Sequence, residues 1–173
     1  MEILFEVLLI VIPAGAVFAT AFFLMHAFFN NENKRRDLEI RKSSLSIVAP
    51  IRLQAYERIV IFLERLHPNN LVLRTNKMGM TSHQLHMELI KTVKSEYEHN
   101  ISQQIYISHG AWELIKTAKE ETLKLINIST SKVPENAKSQ DLAGVILQIA
   151  SSVEKMPSQV ALEYLKREIA QYY

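Results

Sequence analysis

The sequence predicts a mostly α-helical protein in two parts: one N-terminal transmembrane helix, then a compact cytoplasmic domain of about five helices. Three observations predict this fold class. An uncharged run opens the chain, the apolar residues after it recur at helical spacing, and glycine and proline are scarce, at four and five among 173 residues. A very short β element is the one departure from helix that the pattern allows.

The uncharged run extends from Val7 to Phe29. As a helix it would be about 34 Å long, against a hydrocarbon core of about 30 Å. Buried helices of soluble proteins rarely continue so far without a charge. A cleavable signal peptide would need a basic start, where this chain carries Glu2 and Glu6. We therefore expect residues 1–31 to form a transmembrane anchor.

The segment 32–49 is basic and is expected to be a juxtamembrane helix or a tether. Its cations near the apolar run are Lys34, Arg35, Arg36, Arg41 and Lys42. Because the N-terminal flank has no lysine or arginine, the positive-inside rule places the N-terminus outside and the rest of the chain in the cytoplasm. These cations are candidates for contact with anionic membrane lipids, and their plainer role is a stop-transfer flank.

Small residues within the run are candidates for transmembrane packing. Gly15 with Ala19, and Ala16 with Thr20, are pairs of small residues four positions apart, which let two helices approach closely. Small residues are also common in membrane helices for no specific reason. The pairs nevertheless favour a homo-oligomer, or association with other membrane-protein subunits.

Residues 50–173 are expected to form the cytoplasmic helical domain. Its boundary is placed at Ala49-Pro50, because the residue before a proline is disfavoured in the α region. Helices are predicted over 50–66, 82–100, 109–128, 139–155 and 157–172. A cap at Thr81 or Ser82 is expected to start the second of them, and Ser108 is the candidate cap of the third. Leu71 to Met80 is the least helical stretch, in which Leu71-Val72-Leu73 could be extended. Gln103 to Ser108 could be a brief strand or a connecting turn.

The chain offers little chemistry. It has no cysteine, which excludes disulfides, thiolate metal sites and cysteine nucleophiles. His83 and His86 share a helix face and are weak metal candidates, because zinc needs further ligands that their neighbours do not supply; surface histidines explain them better. Phosphate-binding glycine loops, HExxH and Gly-x-Ser-x-Gly are absent from the sequence. We expect no enzyme, no catalytic residue and no cofactor.

Two aromatic features and the net charge concern partners. Trp112 begins an apolar stripe, which favours the core over a ligand platform. Tyr172 and Tyr173 are expected either to dock on the domain or to contact a partner. The net charge of +2 makes nucleic acid an unlikely partner, because nucleic-acid binders usually gather a larger basic excess on one face.

Two stretches carry a resemblance to a known family: RLQAYERIVIFLERLHPNNLVLR (Arg52 to Arg74) and EYEHNISQQIYISHGAWELIKTAKEETLKLIN (Glu96 to Asn127). They resemble an uncharacterised bacterial family, seen chiefly in Bacteroidetes. The resemblance covers most of the chain. It implies one N-terminal span, a helical cytoplasmic domain of unknown function and a location in the bacterial inner membrane, and it implies no activity.

The leading functional hypothesis is a membrane-tethered scaffold or accessory subunit that acts through protein–protein contacts in a membrane-associated complex. It follows from an anchor combined with the absence of catalytic motifs from the sequence. One alternative is a lipid- or nucleic-acid-binding regulator that works through the basic segment from Lys34 to Lys42. The other is a metal-dependent membrane-bound enzyme that uses His83 and His86.

Overall fold

The computed structural model of the protein describes the backbone of residues 2–171. Side chains within that range are described except for those of residues 2–14, Asn33, Asp37, Arg41, Ser44 and Leu45. The α-helices of the described chain are α1 (Glu2–Leu66), α2 (Pro68–Thr75), α3 (Ser82–Asn100), α4 (His109–Thr130), α5 (Ser139–Ser151) and α6 (Pro157–Ile169). A 3₁₀-helix, Ile101–Ile105, connects α3 to α4. The mostly helical character expected from the sequence is confirmed.

The transmembrane helix predicted over residues 7–29 is wrong for the part of the chain that the structure describes. No helix among the described residues is long and apolar enough to cross a membrane. The side chains of 7–14 lie outside the described ones, and the remaining uncharged stretch, 15–29, would span only about 23 Å as a helix. Beyond it, α1 continues into charged sequence that includes Lys34 and Arg35. The bacterial inner-membrane location stays a prediction from the sequence.

The chain divides into two compact units, Met1–Ala49 and Pro50–Tyr173. Helix α1 runs through Pro50, so the expectation that a new helix begins there is wrong. Proline removes one backbone donor but leaves the hydrogen bonds of other turns intact, and the helix therefore need not end at Ala49.

The second unit has its own hydrophobic core. Each of its helices places apolar side chains inward at spacings of three and four residues, as an amphipathic helix requires. Fully buried members are Ile59, Phe62, Leu63 and Leu66 of α1, Leu71 of α2, Leu85 and Leu89 of α3, Ile115 and Ile126 of α4, Leu142 and Ile146 of α5, and Leu165 of α6. Burial of each such side chain stabilises the fold by about 1.5–3 kcal/mol.

Helix α2 covers the first part, Leu71 to Thr75, of the stretch expected to be least helical, whereas residues 76–80 are not helical. Leu71, Val72 and Thr75 are buried, whereas Leu73 is 76% exposed. In a strand Leu71 and Leu73 would share a face, so this burial pattern fits a helix and excludes the extended alternative. Pro68 at the first turn suits a helix start, because its missing N–H would have no intrahelical partner there.

Two alternatives were predicted for the connection between α3 and α4, a brief strand or a turn. The brief strand suggested by the alternation around Gln103 is wrong, since Ile101–Ile105 is a 3₁₀-helix. Gln103 is buried, whereas Ile101 and Ile105, which a strand would place on the same face, are exposed, so the burial does not follow a strand pattern. A single antiparallel bridge joins Thr81 to Lys138 within the described chain.

The helix starts follow local signals in the sequence. Thr81 caps α3 with a capping box: its hydroxyl accepts from the Gln84 backbone N–H, and the Gln84 side chain accepts from the Thr81 N–H. Ser108 caps α4 and accepts from the Ala111 N–H at 3.1 Å. Both predicted caps are confirmed. The last two helices end earlier than expected, at Ser151 and Ile169.

Candidate protein-contact surfaces

The first unit exposes a continuous series of apolar side chains on residues 15–29, which we call the apolar segment. Phe22, Phe23 and Phe28 are 59%, 71% and 66% exposed. The other large apolar side chains exposed here are Val17, Phe18, Leu24, Met25 and Phe29. Neighbouring positions on a helix point in different directions, so this segment is apolar on several faces. Exposed apolar surface on this scale marks an interaction surface.

The small residues predicted for packing lie in this segment and are exposed. Thr20 Oγ1 donates to the Ala16 carbonyl at 2.7 Å, which satisfies the hydroxyl within the helix. A Cβ atom added at Gly15 would meet nothing within 4 Å, so space for a neighbouring helix is open there. Gly15, Ala16, Ala19 and Thr20 are therefore accessible for helix packing, and their use for it stays a prediction.

The charged flank that follows the apolar segment carries both signs. Arg35 Nε lies 3.1 Å from Glu39 Oε1, and Arg36 Nε lies 3.2 Å from Glu32 Oε1. Exposed pairs of this kind stabilise a helix by only about 0.3–0.5 kcal/mol each, so they can exchange partners at little cost. Lys34 and Lys42 are exposed, and the side chain of Arg41 lies outside the described ones. Contact of these cations with lipid stays a prediction.

The second unit has an open groove of about 640 Å³ between α3 and α4, which we call the α3–α4 groove. Its apolar lining consists of Met87, Ile90, Leu123 and Ile128. Met87 is 55% exposed and Ile128 is 42% exposed, while Ile90 and Leu123 are half-buried between them. The groove therefore offers an accessible apolar floor that the core of the unit leaves uncovered.

Lysines surround this floor. Lys119 is held against the protein: its Nζ lies 4.4 Å from the centre of the Tyr97 ring and 2.7 Å from Glu120. Lys124 is more accessible, with a side chain 63% exposed and a distance of 3.7 Å to Glu121. Lys94 is exposed and forms no ion pair within the described chain. The rim of the groove is thus positive.

A smaller depression of about 300 Å³ adjoins this groove and shares two residues with it, Lys124 and Ile128. It adds Leu125, Val153 and Met156 to the apolar lining, of which Val153 is 43% exposed. The accessible apolar surface therefore extends past α4 toward the start of α6, where Pro157 is also in the lining.

A second groove, of about 590 Å³, lies where the end of α1 meets the end of α3. Glu96 accepts from two arginines there, Arg74 at 2.6 Å and Arg65 at 3.0 Å. Arg58 donates to the His99 carbonyl at 3.3 Å. The Glu96 carboxylate thus forms ion pairs with both Arg65 and Arg74. This groove is therefore more polar and less available for an additional ligand than the α3–α4 groove.

Glu168 forms a buried polar network that was not predicted from the sequence. It is 8% exposed and accepts from the Tyr56 hydroxyl, the Ser108 hydroxyl and the Ser108 backbone N–H. The network joins α1, the cap of α4 and α6. Burial, and then the hydrogen bond and charge of Glu168, raise the pKa of Tyr56 above its ordinary value of 10.0. These contacts hold helices together, which is a structural task.

The weak metal candidates have no further ligands grouped with them among the described residues. His83 is exposed, and His86 Nε2 lies 2.9 Å from Asn127 Oδ1. Among the described residues, no three histidine, aspartate or glutamate side chains are placed to hold an ion. Trp112 is buried and stacks on Tyr97 at 5.6 Å, which confirms its predicted core position. Tyr172 and Tyr173 lie outside the described residues.

Comparison with known proteins gives a family without an assigned activity. No curated protein and no solved structure is significantly similar to the chain. The model of one family matches residues 2–172, almost the entire chain. The resemblance found in the sequence, to a family without a known function, is confirmed at that level. The chain belongs to DUF7935, a family of unknown function.

Proposed function

We propose that the protein is a scaffold or accessory subunit that acts through protein–protein contacts, and that a second copy of the chain covers its apolar segment. The single observation that carries the proposal is the exposure of Phe22, Phe23 and Phe28, at 59%, 71% and 66%. Phenylalanine is among the residues most often buried, and a cluster of exposed ones marks a surface that another molecule covers. The proposed role is not catalytic.

Several features favour a second copy as the occupant. An identical helix offers an apolar surface of the same length, with small residues such as Gly15 and Ala19 that allow close approach. The flank carries Arg35 and Glu39 on one helix, so an intrahelical ion pair can be replaced by the same pair between two copies. Opposite charges beside an apolar seam select partner and register in this way in coiled coils.

The free energy needed to hold two chains together requires contacts along the whole apolar segment. Association costs about 4–15 kcal/mol in lost freedom of motion. Covering one phenylalanine returns about 1.5–3 kcal/mol, so one or two contacts would not hold two chains together. The five phenylalanines of the segment are Phe18, Phe22, Phe23, Phe28 and Phe29. Because they lie on several faces of the helix, a pair of copies covers part of them and a larger bundle covers all of them.

The test is the mass of the full-length chain, measured by mass photometry in a mild detergent that keeps exposed apolar surface from aggregating. We expect a dimer or larger oligomer. Replacing Phe22, Phe23 and Phe28 by serine together should weaken association at least about tenfold, since three apolar contacts per copy are lost. The matched control replaces Leu73 and Met78, which are 76% and 100% exposed in the second unit, by serine.

A monomeric wild-type chain, or an oligomer that the triple serine variant leaves intact, would contradict contact through the apolar segment. If, in addition, a pull-down from the native cells recovers no stable partner, the scaffold proposal itself fails.

The two stretches Arg52 to Arg74 and Glu96 to Asn127 support a further part of the proposal, that the protein comes from bacteria of the Bacteroidetes type.

A further inference from the structure

We infer that the α3–α4 groove is a docking site for an acidic amphipathic helix of a partner protein. The inference deepens the proposed function, on which it rests for the idea that the protein acts through protein contacts. It concerns a different surface, in the second unit. The apolar segment is covered by a second copy in that proposal, whereas this groove is assigned to a partner with a different sequence.

The shape and lining of the groove fit a helix. Side chains from α3 and from α4 line an open channel in which Met87 and Ile128 are accessible and Ile90 is half-buried. A helix that presents apolar residues at positions i, i+3, i+4 and i+7 can lay that face into such a channel. The adjoining depression at Val153 lengthens the apolar path by a further contact.

Met87 is suited to a recognition surface. Its unbranched side chain can adjust its conformation to the contour of an apolar ligand, and methionines are common on surfaces that bind helices. It is 55% exposed in the first half of α3, at a helix position where an exposed residue is usually polar. Ile128 faces the same groove from α4.

The charge of the rim selects an acidic partner. Lys94 and Lys124 place two accessible ammonium groups beside the apolar floor, and Lys119 adds a third that is partly compensated by Glu120. Glutamates that flank the apolar face of a bound helix would lie opposite Lys94 and Lys124. Complementary charge of this kind accelerates association and excludes partners of the wrong sign.

The same features disfavour nucleic acid as the occupant. Phosphate backbones are bound by dense clusters of lysine and arginine, with strong dependence on salt. Here the floor is aliphatic, without an exposed aromatic ring on which a base could stack, among the residues that line the described groove.

The first test measures binding of a designed probe to the full-length protein by fluorescence anisotropy. The probe is an 18-residue helical peptide with leucine on one face and glutamate on the other, and the comparison peptide carries lysine in place of glutamate. We expect the glutamate peptide to bind at least about tenfold more tightly, because only it complements the lysine rim. Equal binding of the two peptides, or tighter binding of a single-stranded oligonucleotide, would overturn the inference.

Two groove variants, each with its own control, test whether the probe binds in the groove. Met87→Glu, and the double change Lys94→Glu with Lys124→Glu, should each weaken binding of the glutamate peptide by about tenfold. The controls are Met78→Glu, a fully exposed methionine outside the groove, and Lys91→Glu with Lys132→Glu, exposed lysines that do not line it. Unchanged binding in the groove variants would overturn the inference. All variants alter exposed side chains, and Trp112 fluorescence verifies that each one is folded.

The second test identifies the occupant in cells. A photoreactive amino acid replaces Met87 in the full-length protein, and the cross-linked peptide is sequenced by mass spectrometry. We expect a segment with apolar residues at helical spacing and a net negative charge. A cross-link to a basic segment, to nucleic acid or to another copy of this chain would overturn the assignment.

Failure of this inference and failure of the proposed function can be told apart, because the mass of each sample is measured alongside peptide binding. An oligomer that does not bind the glutamate peptide removes the docking groove and leaves self-association standing. A monomer that binds the peptide removes self-association and leaves the groove standing.

Discussion

Two phenylalanines on the same helix show how differently the two units use apolar side chains. Phe62 of α1 is 2% exposed, in the second unit, where its ring lies 6.2 Å from that of Tyr97. Phe22 of α1 is 59% exposed, in the first unit, where its ring contacts Phe23 and His26 of its own helix. The second unit buries Phe62 among its own helices, whereas the first unit leaves the phenylalanines of the apolar segment exposed.

The largest expected effect tests this contrast directly. Phe62→Ala should lower the free energy of unfolding of the second unit by about 3–5 kcal/mol, because it removes buried contacts and leaves a cavity. The matched change Phe22→Ala should alter the same quantity by less than about 0.5 kcal/mol, as is usual at exposed sites. Urea unfolding followed by Trp112, the single tryptophan, reports on the second unit. Similar losses in both variants would mean that the units do not differ in this way.

The next largest effect concerns buried polar contacts in the second unit. Glu168→Leu should destabilise the second unit by about 2–4 kcal/mol, because the buried Tyr56 hydroxyl and the partly buried Ser108 N–H lose their acceptor. Glu163→Gln, on the same helix but in an exposed pair with Lys155, is the control and should change stability little. The same urea unfolding experiment measures both. Equal effects would show that burial of the Glu168 network contributes nothing.

Local sequence signals predicted much of the second unit. The caps at Thr81 and Ser108 and the core position of Trp112 depend on neighbouring residues or on helical spacing, and the structure confirms all three. Helix α2 was missed because Leu71-Val72-Leu73 alone is compatible with a strand, and only packing shows which of them is buried. Pro50 was given too much weight as the start of a new helix, since the proline rule describes one residue and not the whole helix.

The surfaces were harder to predict, for a physical reason. The α3–α4 groove joins residues such as Met87 and Ile128, which are far apart in sequence and meet only after the helices pack.

Glu168 gave a weak signal: it continues the helical spacing of the buried residues Ala161 and Leu165, which a charged residue rarely does. The membrane assignment relied on counting uncharged residues from Val7, and the described side chains do not supply a long enough apolar helix.

The free energy of unfolding at alkaline pH gives a third prediction. Because burial and Glu168 raise the pKa of Tyr56 in the folded state, the folded protein keeps this proton at a pH where the unfolded chain releases it. The stabilisation is complete below about pH 10 and is lost as the pH rises further, by up to about 1.4 kcal/mol per pH unit.

Tyr56→Phe removes this group, and it should cost about 1–2 kcal/mol at neutral pH because Glu168 loses a buried donor. Above pH 10, the variant should lose stability less steeply than the wild type. The measurement is the midpoint of urea unfolding from pH 8 to 11.5, with Tyr106→Phe as the control. Parallel slopes for wild type and Tyr56→Phe would mean that Tyr56 does not keep its proton in the folded state.

The smallest effect separates local from tertiary stabilisation in the second unit. Thr81→Ala removes the hydroxyl that accepts from the Gln84 N–H, and it should cost about 1 kcal/mol, as loss of an N-cap usually does. The control is Thr117→Ala, at an exposed position inside α4, where the hydroxyl bonds only to the carbonyl of Glu113. Alanine favours a helix there, so this change should be neutral or slightly stabilising. A loss at Thr81 near that of Phe62→Ala would instead mean that the neighbouring Ser82–Ala137 and Ser139–Met80 backbone bonds depend on this cap, and that tertiary contacts begin at the start of α3.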